Sequence, residues 1–283
     1  MSDINTVTVL GAGTMGHGIA QICAAVGMNV TLRDLDDATL EKGRAGIEKS
    51  LNRLVEKGKT SPEDRDATLS RIALSTDLEG SVKGADLVVE AIPEKMALKL
   101  ETFATVSKAA PSHAILATNT SSLSVTEIAG ASVDPGRVIG LHFFNPVPVM
   151  ELLEIVRGLT TSDATLTAAQ GFAKRVGKSP IVVKDFPGFA TSRLGVILGC
   201  EAIRMLEAGV ASAEDIDKAM ELGYRHPMGP LKLTDLVGLD VRLAILDHLH
   251  KEVGEQFRAP PLLRQMVRAG KLGRKSGEGF YRY

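Results

Sequence analysis

The sequence predicts an α/β domain followed by an all-α domain, on three observations. Short apolar runs alternate with helical stretches as far as Lys184, and a glycine-rich turn follows the first of these runs. Past Asp185-Phe186-Pro187-Gly188-Phe189 the strand pattern stops, and residues 190–269 read as helix throughout. Strand–helix alternation implies a parallel sheet covered on both faces. The expected division is therefore 1–184 and 185–283.

The elements follow in order. Residues 6–10 are apolar and β-branched and read as a strand, then come the glycine turn, a helix to about Val26 and a second strand at 29–32. A long polar helix over 36–57 carries an apolar stripe of Leu40, Ile47, Leu51, Leu54 and Val55. Ser61-Pro62 opens a short helix, with serine as cap and proline at the first helical position. Further strands are expected at 72–75, 87–91, 115–118, 138–142, 152–156 and 181–183, with helices at 94–110 and 163–176. The second domain should hold helices at 191–208, 212–222, 231–253 and 262–269. The stripe Leu233, Leu236, Val237, Ala244 and Leu246 exceeds what one small helical domain needs, so part of it is expected to face a second subunit.

The bulk numbers exclude several functions. With 283 residues, 44% hydrophobic and 24% charged, the composition is that of an ordinary enzyme. A net charge of −1 without a long basic block argues against nucleic acid or an anionic membrane as partner. No apolar run is long enough to span a bilayer, and the first four residues show no basic secretory leader. Cys23 and Cys200 are expected to be buried, reduced thiols, and no Cys/His spacing suggests a metal site. The expected compartment is the cytoplasm.

Gly11-Ala12-Gly13-Thr14-Met15-Gly16 fits the G-x-G-x-x-G pattern. Alone the pattern is weak, but here it follows a strand and opens a helix, as phosphate binding requires. Gly11 permits the tight turn, Gly13 lets backbone approach a pyrophosphate, and Gly16 lets helix and strand pack closely. The phosphates would then rest on the unpaired N–H groups of the helix N-terminus. Asp34 stands twenty-three residues after Gly11, at the end of the second strand. A carboxylate there bonds a ribose 2′-hydroxyl and repels a 2′-phosphate, which favours NAD over NADP, although Arg33 beside it argues mildly the other way. The first domain is thus read as a Rossmann-type dinucleotide-binding domain. His17 is read as a helix-surface residue.

His142 ends an apolar run, and Glu154 follows twelve residues later, with Asn145, Pro146 and Pro148 between them. Those turn residues allow the chain to reverse and bring the two side chains together. A histidine held by a carboxylate is a general acid–base unit. An isolated histidine at a strand end is more often a core residue satisfied by backbone. The turn, the returning glutamate and the phosphate loop favour the chemical reading. Glu151 is the competing carboxylate, but in a strand it would face away from Glu154.

These motifs, with Val88-Val89-Glu90-Ala91, Thr118-Asn119-Thr120-Ser121-Ser122, His226-Pro227-Met228-Gly229-Pro230 and the tail Lys275-Ser276-Gly277-Glu278-Gly279-Phe280-Tyr281, closely resemble the L-3-hydroxyacyl-CoA dehydrogenase family over nearly the whole length. The resemblance, closest to the short type acting on 3-hydroxybutyryl-CoA, implies an NAD-dependent enzyme whose acyl-CoA thioester lies between the domains, and a homodimer formed through the helical domain. It implies His142 as catalytic acid–base, Glu154 as its partner, and Ser121 on the substrate oxygen near the nicotinamide. Glu90, Lys95, Asn145 and Lys275 fall at cofactor positions. Ser50 and Lys57 fall at CoA positions, although Lys57 and Lys59 also suit the solvated end of a helix. Where the family carries an asparagine that binds substrate, this chain has Ser192. The acyl tail is left open: short chains come first, and a carboxylated acyl group is the alternative. A sugar-acid dehydrogenase of the same architecture would lack the CoA surface, and a non-catalytic NAD-binding protein would have no use for the His142–Glu154 pair.

Overall fold

The computed structural model describes residues 4–283, so the leader reading, which rests on the first residues, lies largely outside them. The chain divides into two compact units, one ending at Asp185 and one beginning at Phe186. No helix among the described residues is long and apolar enough to cross a membrane.

The first unit runs β1 (Thr6–Leu10), α1 (Thr14–Ala25), β2 (Asn29–Arg33), α2 (Asp37–Glu56), α3 (Pro62–Ser70), β3 (Ile72–Ser75), α4 (Leu78–Val82), β4 (Leu87–Glu90), α5 (Met96–Ala109), β5 (Ile115–Thr118), α6 (Val125–Gly130), β6 (Val138–Phe143), β7 (Leu152–Arg157), α7 (Asp163–Arg175) and β8 (Ser179–Lys184). The eight strands form one sheet in the order β3-β2-β1-β4-β5-β6-β7-β8. Helix starts follow from local chemistry. The side chains of Asp36, Ser61 and Ser162 accept from backbone N–H groups three residues on and cap α2, α3 and α7.

Alternation in the strands assigns the two faces. Val7, Val9, Val30, Leu32, Val89 and Ile139 pack with Ile19 of α1, Ile47 of α2 and Phe172 of α7 in one core. Thr8 points the other way and its Oγ1 donates to Ser81 O on α4. On that same face a Cβ at Gly140 would meet Val125 of α6 at 3.0 Å. Helices thus cover both faces, and burial on both sides explains why strands such as β4, β5 and β6 read as continuous apolar runs.

The sheet is not all parallel, which corrects the expectation. β1 to β6 are parallel, but β7 pairs antiparallel with β6 and β8 runs parallel to β7. The β6–β7 connection is only the eight residues 144–151. A parallel crossover needs a dozen or more, so the chain reverses. The short helices α4 and α6 were not read from the sequence, being too brief to show a 3.6-residue period.

The second unit holds α8 (Thr191–Glu207), α9 (Ala213–Gly223), α10 (Pro230–Val237), α11 (Leu239–Glu252) and α12 (Pro261–Arg268). The single helix expected over 231–253 is two helices. Gly238 separates them at φ 104°, a conformation closed to most side chains. The proposed exposed stripe also divides: Leu246 is buried in this unit's own core, whereas Leu236 and Val237 are 46% and 39% exposed. Cys23 and Cys200 are buried and unbridged, and burial pushes the Cys23 thiol up to about 12.

Two fully buried aspartates organise this unit. Asp217 accepts from Leu231 N and Lys232 N, capping α10 from a distance, and from Tyr281 Oη. Asp235 accepts from Phe280 N, Tyr281 N and Tyr283 Oη, and so pins the C-terminal tail to α10. Asp235→Ala would leave two backbone donors unsatisfied. It is expected to cost about 2–4 kcal/mol, read as a lower urea midpoint at unchanged slope.

Candidate active site

Strand order reverses between β1 and β4, and open α/β sheets bind ligands in the crevice at such a point. The glycine loop occupies it. Gly11 adopts φ +101°, and a Cβ there would lie 2.6 Å from Ala91 O at the end of β4. A Cβ on Gly16 would come within 1.7 Å of Gly11 O, so helix α1 can pack this tightly only with glycine. Around Gly13 nothing lies within 4 Å of where a Cβ would be, which leaves room for a pyrophosphate. Gly13 caps α1 without a side-chain bond, unlike the capped α2, α3 and α7, so the first-turn N–H groups suit an anion. Thr14 and Met15 supply that first turn.

Asp34 lies beside this loop. Its Oδ2 accepts from Ala12 N at 2.6 Å and its Oδ1 from Leu35 N at 2.7 Å. The carboxylate is held by backbone with acceptor capacity to spare, as a ribose hydroxyl would need. Loop, helix terminus and carboxylate together fit an NAD-type dinucleotide.

The next two strand ends carry a buried charge cluster. Lys99 Nζ, 1% exposed, bonds both oxygens of Glu90 at 2.7 and 2.9 Å. Glu90 also accepts from Thr118 Oγ1 and Ile92 N. Fully buried and engaged on both oxygens, the Glu90 carboxylate serves the interior, which corrects the expectation that it meets the cofactor. Lys95 is exposed and precedes α5. The acid beside Ser121 is Glu94: its Oε1 accepts from Ser121 N at 2.9 Å and Thr120 Oγ1 at 2.5 Å, and its Oε2 pairs with Lys99 at 3.2 Å. Burial pushes the Glu94 carboxyl up, but the Lys99 charge and the Thr120 and Ser121 bonds outweigh it and hold it below the usual range. Glu94 and Lys99 were missed in the sequence. Their only signal is that each follows Glu90 or Lys95 by four residues, one helical turn.

Asn119, in the same segment, reaches β6: its Oδ1 accepts from Phe143 N at 3.0 Å. The neighbour of Phe143 is His142, directly opposite Glu154 in the antiparallel ladder. His142 Nδ1 and Glu154 Oε2 are 2.7 Å apart, with Glu154 fully buried and His142 7% exposed. An ionised carboxylate can only accept, so Nδ1 carries the hydrogen and Nε2 is the basic nitrogen of the neutral ring. The Phe144 ring lies tilted 4.5 Å from the imidazole. Glu151 precedes β7 and is exposed.

Ser50 and Lys57 line a cavity of about 450 Å³ together with Thr14 of the phosphate loop and Asn145. His17, read as a surface residue, lines it too, as do Lys49 and Arg53. Two predicted residues belong to the helical unit. Ser192 stands half-buried in the first turn of α8, and Lys275 Nζ pairs with Asp240. Arg193, beside Ser192, stacks on Phe186 with its guanidinium 5.0 Å from the ring centre.

A phosphate loop at a switch point, on the sheet that also carries a buried histidine–carboxylate pair, defines a dinucleotide-dependent dehydrogenase. Comparison with known proteins specifies which. Residues 6–186 match the 3-hydroxyacyl-CoA dehydrogenase NAD binding domain and residues 188–283 its C-terminal domain. The chain is 47% identical over 282 residues to a probable 3-hydroxybutyryl-CoA dehydrogenase of Bacillus subtilis, covering 99% of this chain and 98% of the relative. It is 46% identical to the human mitochondrial hydroxyacyl-coenzyme A dehydrogenase, covering 99% and 91%. The solved (S)-3-hydroxybutyryl-CoA dehydrogenase of Ralstonia eutropha superposes with a TM-score of 0.96 at 45% identity, covering 99% of both chains. The chain belongs to the 3-hydroxyacyl-CoA dehydrogenase family and is an NAD-dependent oxidoreductase.

Lys99→Met would strand the buried Glu90 carboxylate. The expected cost is about 3–5 kcal/mol in urea unfolding, against less than about 1 kcal/mol for removing the exposed Lys275–Asp240 pair.

Proposed function

We propose that the protein interconverts (S)-3-hydroxyacyl-CoA and 3-oxoacyl-CoA and prefers short chains, 3-hydroxybutyryl-CoA and acetoacetyl-CoA. The observation that carries this is the buried His142–Glu154 pair on the sheet that bears the dinucleotide loop. NAD, when bound, supplies the hydride acceptor. In oxidation, neutral His142 takes the 3-hydroxyl proton at Nε2 while Glu154 stabilises the imidazolium that forms. In reduction the imidazolium returns that proton to the developing alkoxide. Ser121, held by Glu94, orients the reacting oxygen, and Glu94 takes the cofactor-side place first given to Glu90. Asn145 serves both ligands.

Ser50 and Lys57 hold the CoA portion, Lys57 as a point charge on phosphate. Ser192 meets substrate through a shorter reach than asparagine, and Lys275 approaches the cofactor. The short-chain preference is supported by relatives named for 3-hydroxybutyryl-CoA. We place the protein in the cytoplasm, where NAD and acyl-CoA are held. We also propose a homodimer through the helical unit, supported by the exposed Leu194, Leu236 and Val241. Light scattering on the eluted protein should give twice the chain mass, and a monomer would refute the dimer.

NADH should be consumed rapidly with acetoacetyl-CoA, and far more slowly with free acetoacetate or with NADPH in its place. His142→Ala should lower turnover by about 10²–10⁴, and an unchanged rate would remove it from the mechanism. Glu154→Gln withdraws a charge that favours imidazolium. Turnover should therefore fall, with NADH binding unchanged.

A further inference from the structure

We propose that the enzyme also takes acyl groups that end in a carboxylate, and that Arg242 on α11 binds that carboxylate. The inference rests on the acyl-CoA reading above and extends it to the far end of the acyl group, through a residue that the reading does not use. Arg242 is 7% exposed. Its Nε has no hydrogen-bond partner, and no acidic side chain among the described residues pairs with its guanidinium. Burial pushes the group down to about 10, so it is still charged at neutral pH. A buried cation left in this way is costly, and folded chains rarely keep one without a partner.

Arg137 shows what a buried arginine looks like when it serves the fold. It is 6% exposed, and its Nη1 donates to Pro111 O and Ala114 O while its Nη2 donates to Ser107 O. Arg193 is engaged in another way, over the rings of Phe186 and Phe257. Arg242 is held by no carbonyl or carboxylate of this kind among the described residues.

The guanidinium lies against the first half of α8. A Cβ on Gly195 would stand 3.8 Å from Arg242 Nη1, so a methyl group just fits there and a longer side chain would take the place of the guanidinium. Glycine inside a helix is unfavourable, and here it makes room for the arginine. Gly195 follows Ser192 by three residues, so the two share one face of α8. Ser192 is the residue given substrate contact above, with a shorter side chain than asparagine. A free guanidinium thus adjoins the place assigned to the acyl group. The CoA phosphates have other cations to meet, since Lys49, Arg53 and Lys57 line the cavity that holds Ser50. The anion left for Arg242 is one carried by the acyl group itself. A guanidinium fork matches a carboxylate through two parallel bonds.

The test follows NADH consumption with 3-oxoglutaryl-CoA, 3-oxoadipyl-CoA and 3-oxopimelyl-CoA. Each is set against the 3-oxo thioester of the same carbon count that ends in a methyl group, with acetoacetyl-CoA alongside. For at least one length the native enzyme should favour the carboxylate-ended thioester about tenfold in kcat/KM. Arg242→Met should lower that preference about a hundredfold, through a higher KM for the carboxylate-ended thioester. Arg242→Lys, which keeps the charge but not the fork, should lower it about tenfold. No preference at any length in the native enzyme, or a preference that survives Arg242→Met, would overturn the carboxylate site. If Arg242→Met does not fold, the native preference and the lysine variant decide the question. Reduction of acetoacetyl-CoA without any such preference refutes the carboxylate site alone, whereas failure to reduce every thioester refutes the CoA reading and this inference with it.

Discussion

One buried ammonium, Lys99 Nζ, joins the segments from which the site is built. It reaches Glu90 at the end of β4 and Glu94 in the loop beyond, and through Glu90 it fixes Thr118 at the end of β5. Removing Lys99 and Glu90 from water costs several kcal/mol each, and such a pair survives only when every lone pair and proton is matched. Here Glu90 accepts from Lys99, Thr118 and Ile92, so the matching is close. The consequence is positional. The segment after β5 is held by Glu94 at Thr120 and Ser121, and Asn119 in the same segment ties to Phe143, next to the proposed acid–base histidine.

This arrangement separates what shapes the site from what faces ligand. Glu90 and Lys99 are enclosed, while Glu94 is more open and hydrogen-bonded to Ser121. Low dielectric makes the enclosed interactions stiff, and the open carboxylate inherits that stiffness through its loop. In the helical unit Asp217 and Asp235 work in the same way, each gathering backbone donors that would otherwise be buried without partners.

Much of this was legible in the sequence wherever one residue type answers one local demand. The glycine loop, Asp34 at the end of β2, the cap at Ser61 and the His142–Glu154 pairing all lie where their spacing put them. What was not legible depended on tertiary choice between similar neighbours. Glu90 and Glu94 are four residues apart, and only the point where β4 ends decides which one is enclosed. Likewise Lys95 precedes α5 and points outward, whereas Lys99, one turn later, turns in. Gly238 falls inside the helix expected over 231–253, but its positive φ ends α10. The reversal of β7 was implied by the turn residues, yet the alternation of strands and helices argued for parallel pairing, and connection length resolved the conflict.

That reversal has a consequence for folding. His142 and Glu154 are opposite residues on adjacent antiparallel strands, joined by their side chains as well as by the ladder. In a sheet, a slip of one residue sends every side chain of the strand to the other face. A shifted β7 would carry Glu154 away from the imidazole and bury a carboxylate with no partner, so the proposed acid–base pair also acts as a lock on strand alignment. A misaligned chain would lose the proton relay and its footing in the core together, which leaves little room for a stable but inert form of this domain.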